Sequence, residues 1–272
     1  MSILSENIGR MIEEAVERDT RGKDIAVAFS GGLDSGLVAA LTKRYASSVT
    51  LYTAGTVRCS DGTETRSFDA VVAEGAASAL GMRWEHIEIE TSNLEKDIEE
   101  MIRITGTTDP LTISFELPLF HVCSHCSEDL IIGGQGADEL FAGYSKYVGL
   151  KDGDLKEAIG QDLSRLYEVT MPHERKVADH FGKRILYPYL SVELTEFMKE
   201  VDMDALVPNE GIERKALLRD VARDTGHYDL AAREKKAAQY GSGTMNAIRR
   251  LCKDKGMTYG ELVDGIVDRI GR

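Results

Sequence analysis

The chain has 272 residues, 42% hydrophobic and 29% charged, with only five prolines. That is enough for one large domain, or a domain with a modest appendage, around a substantial core, and it is the wrong composition for a disordered or collagen-like chain. The net charge of −13 disfavours a general nucleic-acid coat or an anionic membrane surface as partner.

No apolar run approaches the roughly 18 residues of a membrane span. The N-terminal segment has no basic region ahead of an apolar core, so it does not read as a secretory signal, and the expected location is cytoplasmic. Residues 231–255 reverse the charge, with seven Lys or Arg against two acids. Such a segment suits a phosphate-rich small ligand or a local stretch of RNA.

Taken in chain order, the first element is an amphipathic helix with Ile8, Met11, Ile12, Ala15 and Val16 at helical spacing. DIAVAF (24–29) is a short apolar strand that ends abruptly in SGGLDS (30–35). GLVAALTKRYA has helical period, and VTLYTA (49–54) reads as a second buried strand. A loop rich in Gly, Ser, Asp and Thr is expected over 55–65, then a helix to about Leu80 and a third strand, MRWEHIEI (82–89). Helices are expected over 92–103 and 115–126. DLIIGG (129–134) reads as a fourth strand, with another helix starting near Ala137.

Short apolar strands alternating with helices predict an α/β fold, a parallel sheet covered on both faces. From about residue 151 the strand signal stops and Pro172, Pro188, Pro208 and the GSG at 241–243 punctuate a helical pattern. The expected organisation is an α/β core over 1–150 and a helical region over 151–272 that completes the active site.

Ligands of open parallel sheets bind beyond the carboxyl ends of the strands, and two glycine-rich segments lie at such ends. In the first, Gly31 and Gly32 permit a tight turn that offers N–H groups to an anion, with Ser30 and Ser35 as hydroxyl donors and a helix start behind them. Asp34 beside a phosphate site is repulsive unless a divalent cation lies between, which suits Mg²⁺. The second segment, GGQGADELFAGY (133–144), again combines glycines with an acid pair, Asp138 and Glu139. Taken singly, each also reads as a tight turn with a helix-capping acid. Together they supply the parts for a triphosphate and its metal. A Walker A pattern is absent, which excludes P-loop kinases and GTPases.

SGGLDS resembles the pyrophosphatase loop of the N-type ATP pyrophosphatases, and GGQGADELFAGY is similar to the second signature of the asparagine synthetase family, S-G-E-G-A-D-E-L-F-G-G-Y. The resemblance continues in Asp69 with AVVAEGAASALGMRWEHIEI, in LPLFHV, in KVADHFG through YPYL (176–190), in Lys215-x-x-x-Arg219, and in Arg233-Glu-Lys235-Lys236-x-x-Gln-Tyr-Gly. It implies a Rossmann-like core of the adenine nucleotide alpha hydrolase type. It also implies an ATP-dependent carbon–nitrogen ligase that adenylates a small-molecule carboxylate, releases pyrophosphate and transfers the acyl group to ammonia or an amine.

On that resemblance Ser30, Gly31, Gly32 and Ser35 hold pyrophosphate, Asp34 and Asp138 coordinate Mg²⁺, and Ala28, Ala54 and Gly134 line the nucleoside pocket. Gly133 and Tyr144 belong to the same nucleotide site. Lys176 and one of Lys235 and Lys236 neutralise charge between the α- and β-phosphates, where fixed positive charge is worth most.

Three departures qualify the resemblance. The pyrophosphatase loop starts at residue 30, which leaves no room ahead of it for the family's glutaminase domain. Nitrogen is therefore expected as free ammonia, from a separate glutaminase subunit or as an amine. Gln135 stands where the family has Glu, and an amide orients a substrate but takes no proton. Arg184 and Leu186 replace the Glu and Arg of the family's G-V-E-A-R-V-P-F-L, which removes the grounds for naming aspartate as acceptor.

Cys123 and Cys126 share a helical face and read either as core packing or, with Cys252, as a metal or cluster site of the kind used by tRNA-thiolating relatives. A thiolating ATP pyrophosphatase and a non-catalytic nucleotide sensor stand as the alternative functions.

Overall fold

The computed structural model describes residues 2–60, 63–206, 213–233 and 241–271. Helix α1 (Ile3–Thr20) starts at a capping box in which Ser2 accepts from the Ser5 amide, and it buries Ile8, Ile12, Ala15 and Val16. Strand β1 (Asp24–Ala28) runs parallel to β2 (Ser48–Ser60) on one side and to β5 (Leu130–Ile132) on the other. Beyond β2 lies β4 (Arg83–Ile89), and beyond β5 lies β6 (Arg184–Leu186), both again parallel. The parallel core thus has the order β4-β2-β1-β5-β6. The order reverses between β1 and β5, so the two glycine-rich loops leave the sheet side by side at the switch point.

Helices α2 (Leu33–Tyr45) and α3 (Phe68–Leu80) follow β1 and the β2 region, and α4 (Leu94–Thr105) and α5 (Pro110–His125) lead into β5. After β5 come a single turn, α6 (Ala137–Leu140), then α7 (Asp152–Arg165), a π-helical turn at Leu166–Thr170 and α8 (Met171–His180). Past β6 the described chain forms α9 (Val192–Lys199), α10 (Ala216–Asp224), α11 (Tyr228–Ala231), α12 (Thr244–Asp254) and α13 (Tyr259–Ile270).

Alternation in β1 divides the core. Ile25 and Val27 face α1, α2 and α10, while Ala26 faces a second cluster built by α4, α5, α12 and α13. Both faces of the sheet are therefore covered, as a parallel sheet requires.

Two expectations need correction. The segment 55–65 is not a loop: β2 continues to Ser60 and pairs antiparallel with β3 (Thr63–Arg66), Val57 opposite Arg66. Its Thr-rich, β-branched composition suits a strand, and the polar side chains hid it. The half after residue 150 is not strand-free either, because β6 joins the sheet edge beside β5. Three residues are too few to register as a period.

Loop packing fixes the site. Gly31 has φ +72°, and a Cβ there would stand 2.7 Å from the Ala73 Cα of α3. Gly31→Ala is expected to cost about 2 kcal/mol or more from left-handed strain and overlap. Gly75→Ala, in the exposed middle of α3 with nothing within 4 Å, should gain about 0.5–1 kcal/mol. Denaturant unfolding of both variants checks the contrast, and equal effects would contradict this packing.

Candidate active site

The loops after β1 and β5 form one wall of a cavity of about 580 Å³. Its lining includes Ala28, Ser30, Gly32, Asp34, Ser35, Ala54, Gly133, Gly134, Gln135, Asp138 and Tyr144. Gly31 lies behind that wall, where its carbonyl accepts from Arg233 Nη1 at 2.8 Å. The Ser35 hydroxyl accepts from the Ser30 amide at 3.2 Å, which folds the turn back onto the start of α2. Behind the loop, Tyr189 donates its hydroxyl to the Asp34 carbonyl at 3.0 Å, and Thr53 donates to the Phe29 carbonyl at 2.5 Å.

The loops meet at a buried ammonium. Lys215, 5% exposed, places Nζ 2.5 Å from Asp34 Oδ2 and 2.8 Å from Asp138 Oδ1. Burial lowers its pKa, and the charge and hydrogen bond of Asp34 oppose that shift. Lys215 also has φ +60°, a conformation that costs a non-glycine residue about 1–3 kcal/mol. Gly143 has to be glycine here, since a Cβ would come within 2.1 Å of Lys215 Cε. Two carboxylates converging on one cation, beside a glycine loop with free amide direction, form a donor set that suits a divalent cation sharing its coordination with phosphate oxygens. Among the described residues no group of three or more His, Cys, Asp or Glu is arranged to hold a metal alone, so phosphate oxygens would have to complete such a site.

A cationic shell surrounds this end. Arg219 donates Nη2 to the Arg233 carbonyl at 3.0 Å and Nη1 to the Ala231 carbonyl, and so ties down the segment that carries Arg233. Both arginines line the cavity. Lys215, Arg219 and Arg233 were visible only as parts of matched blocks, because nothing in their spacing says that they converge on the loop at Gly31 and Asp34.

The opposite end is acidic. Glu116 of α5 and Glu174 of α8 line the cavity at 2% and 3% exposure. His173 Nδ1 lies 3.1 Å from Glu116 Oε1, and Gln135 Nε2 donates to Glu174 Oε1. Burial, with help from the neighbouring Glu174, pushes the Glu116 carboxyl up to about 8. Burial likewise raises Glu174 to about 7 against the pull of Gln135, Tyr187 and Arg175. Tyr144 donates to Glu139 Oε1 at 2.7 Å, and Glu139 is raised by burial. Sequence reasoning missed Glu116 and Glu174: Glu116 is a lone acid in an apolar helix and Glu174 one of several charges in α8, and only the fold pairs them.

Other expectations fall elsewhere. Lys176 does not line the cavity; it is exposed and donates to the Thr105 carbonyl at 3.3 Å, so the structure gives it no place at the phosphates. The reason is helical phase: Glu174 and Val177 take the inward face of α8. Lys235 and Lys236 lie outside the described residues. Cys123, Cys126 and Cys252 are free, buried thiols in the core cluster beneath α5 and α12. Burial pushes Cys123 up to about 12 and Cys126 to about 11, which favours the thiol over the metal-binding thiolate. Among the described residues no helix is long and apolar enough to cross a membrane.

Comparison with known proteins adds the family. A family model described as asparagine synthase matches residues 7–169. A Methanocaldococcus jannaschii protein named for glutamine-hydrolyzing asparagine synthetase is 26% identical over 93% of this chain and 52% of its own. An asparagine synthetase domain-containing protein 1 of Mus musculus is 30% identical over 43% of this chain and 20% of its own. The chain thus spans about half the length of the first of these relatives and less of the second. Among solved structures, an NMN synthetase from Francisella tularensis superposes at TM-score 0.40 and 13% identity, over 97% of this chain and 85% of that one.

The acid pair carries a pH prediction. Glu116 stays protonated in the fold to about pH 8 but ionises near 4.5 when unfolded, so the unfolded state holds fewer protons between those values. Wild-type stability should therefore fall, relative to Glu116→Gln, as pH rises from 5 to 8. Parallel urea melts of the two proteins test this, and a constant gap across that range would contradict it.

Proposed function

The chain belongs to the asparagine synthase family, and from that premise we propose that it uses ATP with Mg²⁺ to adenylate a small-molecule carboxylate and then passes the acyl group to nitrogen. The supporting observation is the convergence of Asp34 and Asp138, from two strand-end loops, on the buried Lys215 ammonium at the wall of one cavity.

In this reading the Ser30–Ser35 turn and its helix start hold the pyrophosphate portion of ATP, and Ala28, Ala54 and Gly134 border the nucleoside. Asp34 and Asp138 would hold Mg²⁺, which supplies charge neutralisation between phosphates when bound. A substrate carboxylate oxygen attacks the α-phosphorus, and the bond to the bridging oxygen breaks so that pyrophosphate leaves. Arg233 and Lys215 stand at this end with fixed positive charge, and one of Lys235 and Lys236 is assigned the same task. Preorganised charge is worth most there, because negative charge grows between the α- and β-phosphates. The nitrogen then adds to the acyl carbon and AMP departs.

The nitrogen reaches this chain as ammonia, as an amine or from a separate glutaminase subunit. The thiolating alternative loses its support with the burial of the cysteines, and the acidic cavity end has no place in a pure nucleotide sensor.

Carboxylate-dependent exchange of labelled pyrophosphate into ATP should occur in the wild type. Asp34→Asn and Asp138→Asn should each lower it about 100-fold or more, as loss of one preorganised charge at a transition state does. Full exchange in either variant would contradict the assignment.

A further inference from the structure

The acidic end of the cavity is not accounted for by adenylation. Among the described residues, Glu116 Oε2 and Glu174 Oε2 are buried without a hydrogen-bond partner. Among the described residues no Lys or Arg comes within ion-pair distance of either carboxylate. Among the described residues Glu116 meets His173, whose own charged form is disfavoured by burial and by Lys176. Glu174 meets Gln135 and Tyr187, which are neutral, and Arg175 acts on it only from beyond ion-pair distance. Of the cavity's positive groups, Lys215 is committed to Asp34 and Asp138, Arg219 and Arg233 to backbone carbonyls and Lys146 to Asp162, and the exposed Arg165 forms no ion pair with either acid among the described residues. Burying two carboxylates with no cation is costly, so burial holds both acids toward their protonated forms, and a ligand that supplies the missing charge lets them ionise.

The shape around the pair narrows that ligand. Leu119 of α5, Leu166 and Val169 of the π-helical turn, and Ile185 of β6 line the same cavity. A protonated primary amine offers one positive charge and three donors, which matches two unsatisfied acceptors. A bare ammonium ion would satisfy the acids but leave the apolar walls against water.

We propose that Glu116 and Glu174 form the subsite for the nitrogen substrate, and that this substrate is a primary amine with an apolar body rather than ammonia. The place of the subsite in the reaction rests on the acyl-transfer reading above; its chemistry rests on the buried pair. The bound ammonium gives one proton to a carboxylate, and the freed lone pair attacks the acyl carbon. As the C–N bond forms, the bond from that carbon to the AMP oxygen breaks and its electron pair leaves with AMP. The second nitrogen proton passes to the other carboxylate. A Glu at position 135 is then not needed, because the proton acceptor lies on α8 and Gln135 orients it.

Calorimetric titration of the full chain, without ATP, near neutral pH and at constant ionic strength, tests this with butylammonium, ammonium and 1-butanol. Butylammonium should bind saturably, about tenfold or more tighter than ammonium, and 1-butanol should not bind. Glu116→Gln and Glu174→Gln should each weaken butylammonium about tenfold or more. Glu100→Gln, at an exposed carboxylate paired with His180, should leave it unchanged. Equal binding of ammonium and butylammonium, no binding of either, or affinity indifferent to both Gln variants would overturn the proposal. The ranking of the three probes on wild type decides it even if a variant does not fold. Pyrophosphate exchange by the wild type reports separately on adenylation: exchange without amine binding removes this proposal alone, and amine binding without exchange removes the adenylation reading alone.

Discussion

The candidate active-site end of this molecule depends on a single buried cation. Asp34 leaves β1 and Asp138 leaves β5, and at the switch point of the sheet their carboxylates would repel each other across a low-dielectric gap. The Lys215 ammonium, 2.5 and 2.8 Å from them, turns that repulsion into a clamp. Removing one partner from a buried ion pair typically costs about 3–5 kcal/mol, because the survivors are left uncompensated. The strained φ of Lys215 and the absence of any side chain at Gly143 are both consequences of bringing an ammonium to that point. The strain is tolerable only because the α10 start is held: Arg219 of that helix accepts the job of tying the Ala231 and Arg233 carbonyls in place.

From that clamp the cavity divides electrostatically. One end holds Lys215, Arg219 and Arg233 around a glycine turn, and suits a polyphosphate. The other holds Glu116 and Glu174 among apolar side chains, and suits a cation with a hydrocarbon body. In the proposed reaction, an acyl-adenylate formed between them would present its carbonyl to the acidic end and its leaving group to the basic one. That polarity is what a two-step ligase needs, because the developing negative charge and the departing protons go to opposite walls.

Much of this was legible in the sequence, for identifiable reasons. Strands β1 and β5 and the first half of β2 are short apolar runs, β4 ends in an alternating Ile-Glu-Ile, and the loops after β1 and β5 carry their chemistry in consecutive residues. What the sequence hid was long-range. Lys215 sits some 180 residues from Asp34, and the Lys215-x-x-x-Arg219 block that marks it says nothing of where its ammonium goes. Glu116 reads as a stray acid in the apolar helix TISFELPLF, and Glu174 as one of several charges in HERK. The phase of α8 decided between Glu174 and Lys176, and a one-residue rotation of that helix would have reversed the outcome. The hairpin at β3 and the edge strand β6 escaped because polar alternation and a three-residue length give periodicity nothing to detect.

The measurement that bears most directly on the clamp is the thermal stability of Lys215→Met across a Mg²⁺ series without nucleotide. If Asp34 and Asp138 form a cation platform, the variant should be markedly less stable than wild type, and millimolar Mg²⁺ should restore part of the loss while leaving wild type unchanged, since binding to the folded state stabilises it by mass action. Equal Mg²⁺ responses in the two proteins, or a variant as stable as wild type, would contradict the account.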